Sequence, residues 1–437
     1  MKKLLLVTAI CLLIVMGAFA AACGDSTTET TAAPTGTTAA PTDTTAAPTD
    51  TTVAPSTDTT VAATGEPIKI GHIVDLTGAE AMVGENFKNS LEYAVKAMGG
   101  QIGGRPIEIV LGDAQNQPSV AVDLARKMVE QDKVVAIFGP TQVGQKMAVA
   151  NYLKGVGIPL IIYNLSPMAI FQDNPWVVGV GGTTVQQQSA MGDYIYNQLK
   201  YTKIDTLSTD NTAGRSFLEP LVESFKAAGG TVVQQQWHPV PTADFAPYLT
   251  ALEDADALVS WCSGSDAIGL WTAYQQLGID KKMPMVAAFN GGFTDPFIPK
   301  ALSPEAAAIM MGTYAPMMYS PDSESQSNLD FVKGFTPVLG FPPGDTSASG
   351  PYQSMLLFQA AVTATAGDTS PDKLLAALFA STIEGPEGPL SFAAGQQAAT
   401  KNVNIVQIQA VPNAEKTFHY VTAFVYEAVP PTGYVAK

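Results

Sequence analysis

Cysteine and histidine are scarce in this 437-residue chain, which holds three of each. Cys11 and Cys23 lie close to the amino terminus, so the rest of the chain has Cys262 alone. One thiol excludes an internal disulfide and gives no zinc pattern, so stability must come from a packed core. His72 falls inside an apolar run, where a satisfied structural histidine is commoner than a catalyst. No Gly-x-Ser-x-Gly elbow, phosphate loop or His-rich metal spacing occurs, which leaves enzymology with little support. Basic residues are also few: 23 Lys and Arg against 39 Asp and Glu give a net charge of −16. That balance argues against nucleic acid and against an anionic lipid surface met through a basic face. It does not fix the sign of a cleft, whose charge is local. No catalytic residue, metal or cofactor is expected.

The amino terminus reads as a targeting segment. Lys2 and Lys3 precede an apolar stretch over 4–19, followed by Ala20, Ala21, Ala22 and Cys23. A positive start, a short apolar core and small residues before a cleavage point describe a secretory signal peptide. The stretch resembles a bacterial lipobox, in which the cysteine becomes the lipidated first residue; Ala20 stands where Leu is usual. The expectation is a signal over 1–22 and a lipid-anchored linker over 23–66. Residues 30–64 repeat TTAAPTG, TTAAPTD, TTAAPTD and TTVAPSTD. Such a segment cannot bury enough apolar surface to offset chain entropy, and its prolines favour extended conformations. At roughly 3 Å per residue it would reach on the order of 100 Å, a stalk for the domain beyond.

From residue 68 the pattern alternates short apolar strands with amphipathic helices. Strands are expected over 68–74, 107–112, 134–138 and 160–163, with helices over 87–98, 120–131 and 144–154. After a glycine-rich loop at 179–182, a second series places strands over 204–208, 231–236, 257–261 and 284–288. Its helices are expected over 187–199, 217–228, 245–252 and 267–277. This rhythm predicts an α/β fold with two parallel sheets, each covered on both faces. The last hundred residues read as helices over 329–339, 352–366 and 372–379, then strands over 403–410 and 418–426.

The stretches IKIGHIVDLTGAEAMVGENFKNSLEYAVKAMGG, IGGRPIEIVLGDAQNQPSVAVDLARKMVEQDKVVAIFGP and GIPLIIYNLSP resemble branched-chain amino-acid-binding proteins of ABC importers. The resemblance runs from about residue 68 to the carboxyl terminus. It implies the type I periplasmic-binding fold: two Rossmann-like lobes joined by three crossovers, near Val180, Met318 and Gly385. Lobe 1 is then 67–180 with 319–385, and lobe 2 is 181–318 with 386–437. The implied partners are a small-molecule ligand, permease and ATPase subunits, and the membrane through the anchor. The same fold also serves as a sensing module that reports its ligand state to a membrane receptor.

In open parallel sheets, ligands sit beyond the carboxyl ends of the strands, where helix N-termini present free N–H groups. There the sequence offers Thr77, Thr141, Gln142, Asn164, Leu165 and Ser166, a set suited to a carboxylate held without a buried cation. Thr141 reads equally as a helix cap and Ser166 as a Ser-Pro turn. The resemblance places a carboxylate-binding hydroxyl near each. In the second series the corresponding positions are Asp210, Trp261, Ser263 and Asn290. Asp210 reads equally as a solvated turn residue, and Trp261 as core. Amino-acid binders commonly carry an acid for the ligand's ammonium near Asn290, and none stands between Met285 and Gly292. Asp210 or Asp266 would then have to supply that charge.

Overall fold

The computed structural model describes residues 65–435 apart from 79, 173, 263, 289–300 and 411–417. The signal segment, Cys23 and the repeat region lie outside the described residues, as do Ser263 and Asn290.

The first sheet is built from β1 (Ile68–Val74), β2 (Gln101–Ile102), β3 (Arg105–Asp113), β4 (Ala136–Phe138), β5 (Leu160–Ile162) and β6 (Val177–Gly179). Their order is β2-β3-β1-β4-β5-β6, with every pair parallel except the β2–β3 hairpin. Side chains alternate across it as a strand's two-residue period requires. Ala136, Phe138 and Ile161 enter one core; Ile137, Leu160 and Ile162 enter the other. The helices α1 (Ala81–Ala97), α2 (Pro118–Lys127) and α3 (Val143–Lys154) divide between these faces. Phe87 and Leu91 of α1 join the first core, and Val149 and Leu153 of α3 join the second. Burying each such side chain stabilises by about 1.5–3 kcal/mol.

The next helix, α4 (Thr184–Asn197), opens on Thr183, whose hydroxyl accepts from Gln186 N while the Gln186 side chain returns to Thr183 N. It leads to β7 (Lys203–Thr209), α5 (Thr212–Ala227), β8 (Thr231–His238), α6 (Ala246–Thr250), β9 (Ala257–Trp261), α7 (Gly264–Gln276), β10 (Met285–Ala287) and α8 (Pro304–Ala308). The four strands make a parallel sheet in the order β10-β9-β7-β8, with a core on each face. Beyond it, β11 (Tyr314–Met317), α9 (Gln326–Leu339), α10 (Thr346–Ala364), α11 (Pro371–Ala380), β12 (Ile383–Gly385), β13 (Gly388–Leu390), β14 (Lys401–Ala410) and β15 (Phe418–Val429) complete the chain. Met355, Phe358, Leu374 and Leu378 of α10 and α11 return to the first lobe's core. Val403, Val406 and Tyr420 of the last strands belong to the second lobe's cores.

Two strands next to the crossings between lobes depart from the sequence expectation. Val177–Gly179, which runs into the loop expected at 179–182, is the sixth strand, parallel to β5. Tyr314–Met317 is also a strand; β14 pairs with it and β15 pairs with β14, making one antiparallel sheet. Three or four residues are too few for periodicity to reveal a strand. The chain crosses between lobes after β6, after β11 and before β14. The segment around Gly385 remains on the first lobe, since Leu390 and Ala399 pack in its core and Ala398 bridges to Gly179.

An ion pair is buried where the first and third of these crossings meet. Lys401 Nζ donates to Glu387 and to Val180 O (3.1 Å). Glu387 accepts from Ser349 Oγ at 2.7 Å, and its N–H donates to Gln353 Oε1. Both charged side chains are fully enclosed.

Candidate functional site

Strand order reverses once in each lobe. In the first, β3 and β4 flank β1, so the chain leaves toward opposite faces after β1 and after β4. In the second, β8 and β9 flank β7 in the same way. A crevice opens beyond the carboxyl ends at such a switch point, and ligands of open α/β sheets bind there. The loops concerned are 75–78 and 139–142 in lobe 1, and in lobe 2 residues 210–211 and the turn at Cys262.

In lobe 1 the first turn of α3 reaches both ways. Gln142, not Thr141, is the N-cap residue, and its N–H donates to Gln145 Oε1 at 3.0 Å. Gln145 Nε2 donates to Asp75 Oδ1 at 2.7 Å, tying the helix to the end of β1. Asp75 is wholly buried, and the same oxygen also accepts from Asn116 N (2.6 Å). Its other oxygen has no hydrogen-bond partner. Glu80 stands close by; burial and then the Asp75 charge raise its carboxyl, against a bond from the Gln142 side chain.

On the other side of the turn is Lys146. Its Nζ donates to Leu165 O at 3.0 Å and to Ser166 Oγ at 3.2 Å, just beyond β5. Only 1% of the residue is exposed, and burial pushes its amine down to about 7. This corrects the expectation of a cleft without a buried cation. A lysine in the first turn of a helix reads as a solvated charge, and nothing in its spacing shows that it turns inward.

Thr141, Asn164, Leu165 and Ser166 form one connected group. Asn164 Nδ2 donates to Thr141 O (2.9 Å), and Ser166 Oγ donates to Asn164 O (3.3 Å). Thr141 is buried and its hydroxyl has no partner; nor has the buried Asn164 Oδ1. Buried polar atoms are nearly always satisfied, so two orphans in one loop pair point to a ligand or solvent. Thr77 is not part of this group; its hydroxyl donates to Asp113 Oδ2 at 2.8 Å on the exposed rim. Beneath the loops, Tyr163 OH meets His72 Nε2 at 3.1 Å, and burial lowers His72 to about 3. His72 is thus a neutral core residue.

In lobe 2 Asp210 is half exposed and already paired, with Arg215 Nη2 at 2.6 Å. Arg215 also lies over the Trp237 ring, 4.3 Å from its centroid. Trp261 is buried and stacks on Phe217 with ring centroids 5.3 Å apart. Next to it, the ring of His238 links two groups that the sequence left apart. Its Nδ1 lies 2.9 Å from Pro239 O and 3.7 Å from Asp266 Oδ2, so that nitrogen carries the proton. Nε2 then accepts from the Cys262 thiol at 3.2 Å. Asp266 is buried and accepts from Thr242 N, so it is committed to this cluster. Burial pushes the Cys262 thiol up to about 12, which keeps it protonated and inert. Among the described residues no group of His, Cys, Asp and Glu could hold a metal ion. None of their helices is long and apolar enough to cross a membrane.

A family model described as periplasmic binding protein matches residues 67–415. The Leu/Ile/Val-binding protein homolog 6 of Brucella melitensis is 25% identical over 352 residues, 79% of this chain and 89% of its own. An ABC transporter substrate-binding protein from Sphaerobacter thermophilus superposes with a TM-score of 0.76 at 25% identity, covering 84% of this chain and 99% of that one. A solute-binding protein of Rhodopseudomonas palustris, in complex with 3,4-dihydroxybenzoic acid, gives 0.73 at 24% identity over 84% and 98%. With a switch point in each of its two main sheets and a family match over residues 67–415, this chain belongs to the periplasmic binding protein family, the substrate-binding proteins of ABC transporters, and is not an enzyme.

Proposed function

We propose that this protein is an exported lipoprotein, anchored at Cys23 and held off the membrane by residues 23–66. It captures a small solute between its two lobes, the first of which keeps the chain up to the crossing before β14, closes by hinging, and delivers it to permease and ATPase subunits. The solute is an amino acid or a related small carboxylate or amide. The observation that carries this reading is the Thr141 hydroxyl, buried without a partner at the first lobe's switch point, in a loop tied to Asn164, whose Oδ1 is also unpartnered. Names among the relatives add support from both ligand types, Leu/Ile/Val in one and an aromatic acid in another. A thermal-shift screen of amino acids, aromatic and aliphatic carboxylates, and their amides tests it. Ligand at about a thousand times its dissociation constant adds about 4 kcal/mol of stability, and a screen without a hit contradicts the reading. The anchor is tested separately. Cys23→Ser should move the protein from the membrane fraction to the soluble one, and unchanged fractionation would remove the lipid from the account.

A further inference from the structure

Resting on the reading of this cleft as a capture site, we infer that Lys146 is its charge-selecting residue, binding the carboxylate of an anionic ligand and discriminating against neutral isosteres. Lys146 Nζ carries up to three N–H donors, and two have partners, Leu165 O and Ser166 Oγ. Both are uncharged. No ion pair among the described residues includes Lys146. Enclosed amines without a counter-charge are costly, and burial here lowers this one to about 7. An anion from outside the chain supplies what the fold does not. The position suits that role, because the loop Lys146 grips is joined to the switch-point loop through Asn164 Nδ2 and Thr141 O. The Ser166 hydroxyl is not itself free for a ligand oxygen: it accepts from Lys146 and gives its proton to Asn164 O. The donors left for a carboxylate are Lys146 and the hydroxyl of Thr141.

Titration calorimetry with matched pairs tests this: benzoate and benzamide, 4-hydroxybenzoate and its amide, isovalerate and isovaleramide, leucine and leucinamide. Wild-type protein should bind the best acid at least about 30-fold more tightly than its amide. Lys146→Met should lose at least about 100-fold for the acid and less than about threefold for the amide, and Lys146→Gln should behave as Lys146→Met. Unliganded melting curves of both variants establish that they fold; if neither does, the wild-type acid-to-amide ratio decides alone. An amide that matches its acid, or full acid affinity in a folded Lys146 variant, overturns the role of Lys146 and leaves solute capture standing. Failure of every compound, charged or neutral, overturns both.

Discussion

Removing one member of the enclosed Glu387–Lys401 pair should destabilise the protein far more than removing both. In Glu387→Gln, Lys401 keeps only Val180 O and a neutral amide, with no route to water because both side chains are fully enclosed. Breaking a buried pair in this way costs about 3–5 kcal/mol, whereas replacing both partners by apolar groups of similar volume is often neutral. The Glu387 carboxylate also accepts from Ser349 Oγ of α10, so the variant weakens that contact as well. At about 2.1 cal/mol/K per residue over a folded part of roughly 370 residues, that loss lowers the melting temperature by about 4–6 °C. Urea unfolding at pH 7, followed by tryptophan fluorescence, measures it for Glu387→Gln, Lys401→Met and the double variant Glu387→Leu/Lys401→Met. Each single variant should lose about 3–5 kcal/mol, and the double variant less than either. A single variant within about 1 kcal/mol of wild type, or a double variant as weak as the sum, would refute the reasoning.

Other parts of the structure make similarly direct predictions. His72 is buried and neutral, with its folded value near 3 against 6.5 when unfolded. Between those values the unfolded chain binds more protons, so stability falls as pH drops through that window. The loss from pH 7 to pH 4 is at most about 3 kcal/mol, at about 1.4 kcal/mol per pH unit. His72→Gln should flatten that slope in urea titrations at the two pH values, and an unchanged slope would move the acid sensitivity elsewhere. Burial raises the Cys262 thiol to about 12, so a disulfide reagent at pH 8 should label native protein slowly and unfolded protein at once. Stoichiometric labelling of the native protein within seconds would contradict the raised value of that half-buried thiol.

Long, strongly periodic elements were legible in the sequence, down to the residue for β1 and β9. What periodicity hid lies at helix beginnings next to the cleft. Helix α1 starts six residues before the expected position, α5 five and α10 six, because each has a glycine within its first five residues that reads as loop. Those glycines are close approaches. A Cβ on Gly84 would lie 1.8 Å from Asp75 O, one on Gly214 2.3 Å from Thr209 O, and one on Gly350 2.3 Å from Tyr163 O. In each case the helix packs against the carboxyl end of a strand, which is what shapes the crevice. The candidate site was legible in part. Residue type and loop position brought Thr141, Asn164, Leu165 and Ser166 together, while Lys146 and Asp75 were invisible because sequence shows a charge but not its burial. Asp210 was singled out for its charge, and the structure gives that charge to Arg215.

Capture of a solute at the switch point is tested most directly by titrating the strongest hit of the screen into wild-type protein and Thr141→Ala. A ligand bonded by the buried hydroxyl should bind one per chain and lose about 1–3 kcal/mol of affinity in the variant, with the unliganded melting temperature nearly unchanged. An affinity equal to wild type, accompanied by a lower melting temperature of the free variant, would contradict the account and make Thr141 a structural residue only.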